Sequence, residues 1–238
     1  MDKSNKKYTY EEFLEIIKTL RGENGCPWDR VQTHESLKPC MTEEAAELLA
    51  SIRIYEKTGN PENMIEELGD VLLQVVLHAQ IASEEGLFTM ADVVDEVSRK
   101  MVRRHPHVFG TGNADTPEEV LTNWEEIKKE EKKDKEWVKS PLREIPQELP
   151  ALTRAAKVLK KVDKLYEPGR DYAACVDALE KAAAALRQSS LDDGEQIAEQ
   201  MGDALVALAD ISRICKLSPE QILTDRTEDI IACFDNKF

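Results

Sequence analysis

Apolar residues recur along this chain at three- and four-residue spacing, and two-residue alternation is nearly absent. Phe13, Leu14, Ile17 and Leu20 form one helical stripe, Val93, Val94, Val97 and Met101 a second, and Ile197, Met201, Leu205, Leu208 and Ile211 a third. Punctuation sets the boundaries. Thr9-Tyr10-Glu11-Glu12 is a capping-box pattern ahead of the first stripe, and Gly22 and Gly25 stop it. Asn60-Pro61 opens a long amphipathic run ending at Gly86, Thr89 opens a helix that His105-Pro106 closes, and Thr116-Pro117-Glu118-Glu119 starts another. The pattern predicts an all-α protein.

Between the first helices, residues 21–39 read as a long loop broken by Gly22, Gly25, Pro27 and Pro39 and anchored by Trp28, and loops of that length are usually functional. A Lys/Glu-dense stretch followed by Pro141, Pro146 and Pro150 suggests a helical domain over 1–137, a linker over 138–149 and a second helical domain over 150–238. That second half reads as a degenerate repeat. Residues 195–206, ending in Met201-Gly202-Asp203-Ala204-Leu205-Val206, parallel residues 62–73, ending in Leu68-Gly69-Asp70-Val71-Leu72-Leu73. Its chemistry is not copied: Gln200 stands where the first half has Glu67, and Ala182 to Ala185 occupy the place of Glu43, Glu44 and Glu47. The second half is expected to hold no metal and to complete or dimerise the helical core.

Composition narrows the function. With 238 residues and a net charge of −15, the chain is large enough for one or two cores and poorly suited to a nucleic-acid backbone, so no nucleic-acid partner is expected. The most apolar window, Val71 to Ala82, is interrupted by Gln74, His78 and Gln80 and is too short to span a bilayer; the first residues lack a signal-peptide segment, so a cytoplasmic protein is expected. Five widely spaced cysteines, none in a C-x-x-C pair, read as reduced thiols.

Two acidic clusters carry candidate chemistry. Glu44 with Glu47, and Glu67 with Asp70, are spaced three apart, so each pair shares a helix face. The clusters lie on consecutive helices joined around Thr58-Gly59-Asn60, and an antiparallel hairpin would bring all four carboxylates together. In a chain with 33% charged residues, such pairs can equally be solvated faces. Against that, no Lys or Arg follows either cluster at three or four residues to neutralise it. Oxygen-only ligation suits Mg²⁺, with Mn²⁺ able to substitute, better than Zn²⁺. Downstream, Lys100, Arg103 and Arg104 either complement the dipole at a helix C-terminus or receive an anionic ligand opposite the metal.

Three motifs, in order, carry a resemblance. Gly25-Cys26-Pro27-Trp28-Asp29-Arg30-Val31-Gln32-Thr33-His34-Glu35-Ser36-Leu37, the two acidic clusters with Glu67-Leu68-Gly69-Asp70, and Arg103-Arg104-His105-Pro106-His107-Val108-Phe109-Gly110 resemble the MazG family of nucleoside triphosphate pyrophosphohydrolases. The resemblance spans residues 8–137 strongly and the segment after Leu149 more loosely. It implies an all-α, Mg²⁺-dependent enzyme, dimeric or higher, converting a nucleoside triphosphate to the monophosphate and pyrophosphate. It implies Glu44, Glu47, Glu67 and Asp70 as metal ligands, and Glu43 and Glu66 as supports of those ligands or as the base. It further implies Lys100, Arg103 and Arg104 at the phosphates, and Trp28 and Trp124 against the base. The resemblance leaves open a pyrophosphatase restricted to dUTP, dCTP or phosphoribosyl-ATP, and a non-catalytic nucleotide-binding regulator. A di-iron helical bundle is a further alternative, but it needs Glu-x-x-His on two helices, and His34, His78, His105 and His107 supply none.

Overall fold

A computed structural model describes residues 6–132, 140–166 and 168–235, and among these residues every regular element is a helix. The chain divides into two compact units, Met1–Lys128 and Lys129–Phe238. The expected boundary at 137/138 lies outside the described residues.

In the first unit, α1 (Tyr10–Arg21) starts with Thr9 and Glu12 bonding each other's backbone N–H in the predicted capping box. The chain then turns through Gly25, where a Cβ would fall 2.1 Å from the Leu20 carbonyl oxygen, a clash only glycine avoids. The expected loop contains a short helix, α2 (Pro27–Arg30), before α3 (Lys38–Thr58). Gly59, at φ +70°, caps α3 in the left-handed region and reverses the chain into α4 (Glu62–Glu84). The expected cap is displaced by one residue: Pro61 stands at the N-cap of α4 with no side-chain cap, and Asn60 before it accepts from the Glu62 N–H through its Oδ1 at 2.9 Å. α5 (Met90–Arg104) opens with the Thr89/Asp92 capping box, then come α6 (Pro106–Phe109) and α7 (Pro117–Lys132).

Ile17, Leu37, Val76, Leu77 and Ile81 form the core, joined by Phe13, Leu14, Cys40, Leu73 and Met90, so α1, α4 and the start of α3 pack around one centre. Two polar links fasten the segment after α2 to this core. The Arg21 guanidinium, 5% exposed, grips the Glu84 carboxylate at 2.7 and 3.0 Å and donates to the carbonyls of Asp29 and Gln32. Beside it, His34 and His78 meet Nδ1 to Nδ1 at 2.8 Å with ring planes 6° apart. Their centroids, 5.0 Å apart, have the separation of two nearly coplanar rings joined head to head, which is the geometry of an N–H···N bond rather than of stacking.

One neutral ring donates and the other accepts, so the first proton to bind keeps the bond and the second removes the acceptor. Burial first, and His34 second, push the His78 pKa down. The unfolded chain therefore binds a proton that the native chain does not in the window just below the ordinary histidine value, and stability falls as pH drops through that window. Imidazole NMR shifts are expected to show His78 titrating below the ordinary histidine value, and a His78 titration at or above that value would contradict this reading.

The second unit contains α8 (Ala151–Leu165), α9 (Tyr172–Gln188), α10 (Gly194–Ile214) and α11 (Pro219–Asp235). Residues 140–149, the described part of the expected linker, fold onto this unit: Ile145 is buried, and Lys161 on α8 reaches the Pro141 carbonyl and the Glu144 carboxylate. Of the apolar stripe of α10, Met201, Leu205 and Leu208 are exposed, while Ile197 and Ile211 are half-buried. The buried residues of α9 and α10 are small or polar: Cys175, Ala182, Ala207, Ala209, Asp210 and Ser212. Small side chains on α9 and α10 permit close approach, and a charge network fills the middle. Asp210, 1% exposed, accepts from the Arg213 Nε at 2.6 Å and the Cys175 thiol at 3.2 Å and pairs with Arg170 at 3.4 Å, while Arg213 also reaches Asp163 at 3.2 Å.

Candidate functional site

The hairpin of α3 and α4 brings carboxylates from both clusters together. Glu44, Glu67 and Asp70 each offer one oxygen, and these three oxygens lie within 4.8 Å of one another. Glu67 is buried and its Oε1 accepts from the Asn63 amide at 2.8 Å, which fixes its rotamer from one turn away. Desolvation, then the charge of Asp70, then those of Glu47, Glu43 and Glu67, push the Glu44 pKa up. A carboxylate so placed is relieved by a cation. The donor set is all oxygen, which fits a hard divalent ion. Gln74, one turn beyond Asp70 on the same face, is buried with its Oε1 unpartnered, leaving an acceptor still to be satisfied along this stripe.

The remaining predicted residues are distributed around this convergence. Glu47 is exposed and lies outside the three-oxygen cluster, although its charge is felt at Glu44. Glu43 and Glu66 are exposed on the same two helices. Lys100 and Arg104 are half-buried and Arg103 is exposed in the last turn of α5. Arg104 does not stand alone: its guanidinium lies 5.0 Å over the Trp124 ring, and His105 meets the same ring edge-on at 5.1 Å. One face of Trp124 is thus engaged by the basic cluster. Trp28, on α2, is 57% exposed. Asn63 and Gln74 are the residues missed from sequence. The i,i+4 relation of Asn63 to Glu67 was available as a signal, whereas nothing local distinguishes Gln74.

The α3–α4 hairpin thus presents an all-oxygen carboxylate cluster whose donors suit a hard divalent cation. Residues 32–109 match the model of the MazG nucleotide pyrophosphohydrolase domain. The chain is 40% identical to the nucleoside triphosphate pyrophosphohydrolase/pyrophosphatase MazG of Thermotoga maritima over 225 residues, covering 94% of this chain and 84% of that protein. It is 38% identical to the nucleoside triphosphate pyrophosphohydrolase of Escherichia coli, covering 85% and 77%. Identity to the uncharacterized protein YabN of Bacillus subtilis is 46% over 91% of this chain, which spans 44% of that protein's length. The chain belongs to the MazG nucleotide pyrophosphohydrolase family, a family of hydrolases. Among the described residues no helix is long and apolar enough to cross a membrane.

Proposed function

We propose that this protein hydrolyses a nucleoside or deoxynucleoside triphosphate to the monophosphate and pyrophosphate, with Mg²⁺ as its cofactor and Mn²⁺ able to replace it. The observation that carries this reading is the convergence of Glu44, Glu67 and Asp70 within 4.8 Å. These three side chains would hold the cation, and Glu47 would join them by a rotamer change from its exposed position. A bound divalent ion supplies charge neutralisation on the triphosphate and activation for attack at phosphorus. Glu43 or Glu66, both exposed at the rim, would orient the attacking water and take its proton. Lys100, Arg103 and Arg104 would bind the phosphates and offset the charge of departing pyrophosphate, and Trp28 and Trp124 would pack on the base.

The second half is proposed as structural. Gln200, at the position of Glu67, is bonded to the Ser189 hydroxyl, so an internal amide contact occupies the place of a metal ligand. Exposed Leu49 and Ile52 on α3 and Ile65, Leu68 and Leu72 on α4 support assembly into a homodimer or higher oligomer, since large apolar side chains left in water favour burial. Five free cysteines suit the reducing cytoplasm.

Pyrophosphate release from the eight common NTPs and dNTPs, with Mg²⁺ and with chelator, tests the activity and sets its substrate range. Release from none of them would leave the regulator reading in its place. Arg103→Ala and Lys100→Ala are expected to lower kcat/KM by about 10- to 100-fold each, the size of a lost charge-assisted contact. Metal affinity measured by calorimetry should not change. A fall in metal affinity with kcat/KM level would contradict the phosphate role.

A further inference from the structure

Of the three clustered carboxylates, Glu67 alone is braced by a hydrogen bond among the described residues. Its Oε1 accepts from the Asn63 side-chain amide at 2.8 Å and the residue is buried, whereas Glu44 and Asp70 are half-buried and accept from no donor among those residues. An ionised carboxylate can only accept, so the amide must turn its NH₂ group to Glu67. The helix favours this pairing. Side chains lean toward the N-terminus of their own helix, so Glu67 lies back over Asn63, one turn earlier on α4. The turn that carries Asn63 is itself held at its start, where the Asn60 side chain accepts from the Glu62 N–H at 2.9 Å and donates to the Glu62 carboxylate at 3.3 Å.

The second unit supplies a comparison within the same chain. Gln196 and Gln200 stand where the first half has Asn63 and Glu67. Gln196 is exposed, and Gln200 takes its bond from the Ser189 hydroxyl instead. An amide one turn earlier acts as a brace only where the residue it holds is a carboxylate.

We propose that Asn63 is a positioning residue that sets which divalent ion the cluster prefers, by tying one oxygen of Glu67 and leaving only the other for the ion. The inference rests on the metal reading of Glu44, Glu67 and Asp70 given above. With Oε1 engaged, Oε2 is the oxygen of Glu67 that has no partner among the described residues. A carboxylate limited to one oxygen suits Mg²⁺, whose near-ideal octahedron has bonds of about 2.0–2.1 Å and keeps several waters. Ca²⁺ is larger, with bonds of about 2.3–2.6 Å, and gains from carboxylates that bind through both oxygens. Released from Asn63, Glu67 is free to turn both oxygens toward an ion, which favours the larger one. Asn63 acts through Glu67 and does not itself touch the ion.

Calorimetry on the full, nucleotide-free chain, titrated with Mg²⁺ in one arm and Ca²⁺ in the other, reads the effect without turnover. Asn63→Leu keeps the bulk of the side chain and removes the donor. Its Mg²⁺ affinity is expected to fall about 10- to 100-fold, the usual cost of losing a group that orients a metal ligand, and its Ca²⁺ affinity to fall by less, so that preference moves about tenfold toward Ca²⁺. Asn63→Gln, which carries the same amide, should restore part of the Mg²⁺ affinity. Asn63→Ala, measured beside them with circular dichroism on all three, keeps the test intact should leucine disturb the first turn of α4. Glu67→Gln separates this inference from the reading beneath it. A parent chain that binds neither ion, or that binds as tightly with Glu67→Gln, overturns the metal site and this inference with it. Affinity lost with Glu67→Gln but unchanged without the Asn63 amide, or lowered equally for both ions, overturns the role of Asn63 alone.

Discussion

Glu67→Gln is expected to lower metal-dependent hydrolysis by about 1,000-fold or more while leaving the metal-free chain at least as stable as the parent. Glutamine keeps the shape of Glu67 and the carbonyl-type oxygen that the Asn63 amide bonds at 2.8 Å, so the local structure survives. What is lost is one ligand charge of three, and a metal's contribution to such chemistry amounts to several kcal/mol, with about 1.4 kcal/mol per tenfold in rate. The stability expectation follows from Glu44. Its pKa is raised by burial, then by Asp70, Glu47, Glu43 and Glu67, so above the ordinary glutamate value the native chain holds more protons than the unfolded one. Stability of the metal-free chain therefore declines as pH climbs through that window, and removing the Glu67 charge should make the decline shallower. Thermal melts in chelator across that pH range, beside steady-state kinetics in Mg²⁺, read both effects. Activity within tenfold of the parent would remove Glu67 from the metal site.

Asp210→Ala is expected to destabilise the second unit by about 3–5 kcal/mol, the range seen when one partner of a buried ion pair is removed. Asp210 is almost wholly enclosed, and its loss strips Arg213, 13% exposed, of its 2.6 Å partner while Arg170 and the Cys175 thiol lose theirs. Asp210→Asn, which keeps an acceptor but not the charge, should fall between the two. Because the chain has two compact units, a single unfolding free energy is poorly defined, and hydrogen exchange of α9 and α10 is the better readout. Protection of those helices within about 1 kcal/mol of the parent would show that the network is not what holds them.

Much of this architecture was legible because its rules are local. Thr9 and Thr89 cap helices through partners three residues away, and Gly59 ends one by its left-handed φ, so each could be read from a few neighbouring residues. The convergence of Glu44 with Glu67 and Asp70 needed one further step, a short connection that forces a hairpin. Local rules could not say that Glu47 would stay outside the cluster. Residues three apart on a helix diverge by tens of degrees, and which of them meets the neighbouring helix depends on the packing angle. The same limit applies to Arg21 with Glu84, 63 residues apart, and His34 with His78, 44 apart. It applies again to Arg104, whose place over Trp124 depends on how the chain returns after α6. In the second half, the stripe through Met201, Leu205 and Leu208 has the right period for a core, yet these three are exposed and the buried residues of α10 are Ala207, Ala209, Asp210 and Ser212. Periodicity gives a face but does not name the face that is buried.

The most direct test of the central claim is hydrolysis in water labelled with heavy oxygen, followed by mass analysis of both products, in Mg²⁺ and in chelator. Water attacking the α-phosphorus places the label in the nucleoside monophosphate, so the expected result is labelled monophosphate, unlabelled pyrophosphate, and neither product in chelator or in Glu67→Gln. Label in the pyrophosphate, orthophosphate as the released product, or turnover that persists without the divalent cation would contradict it.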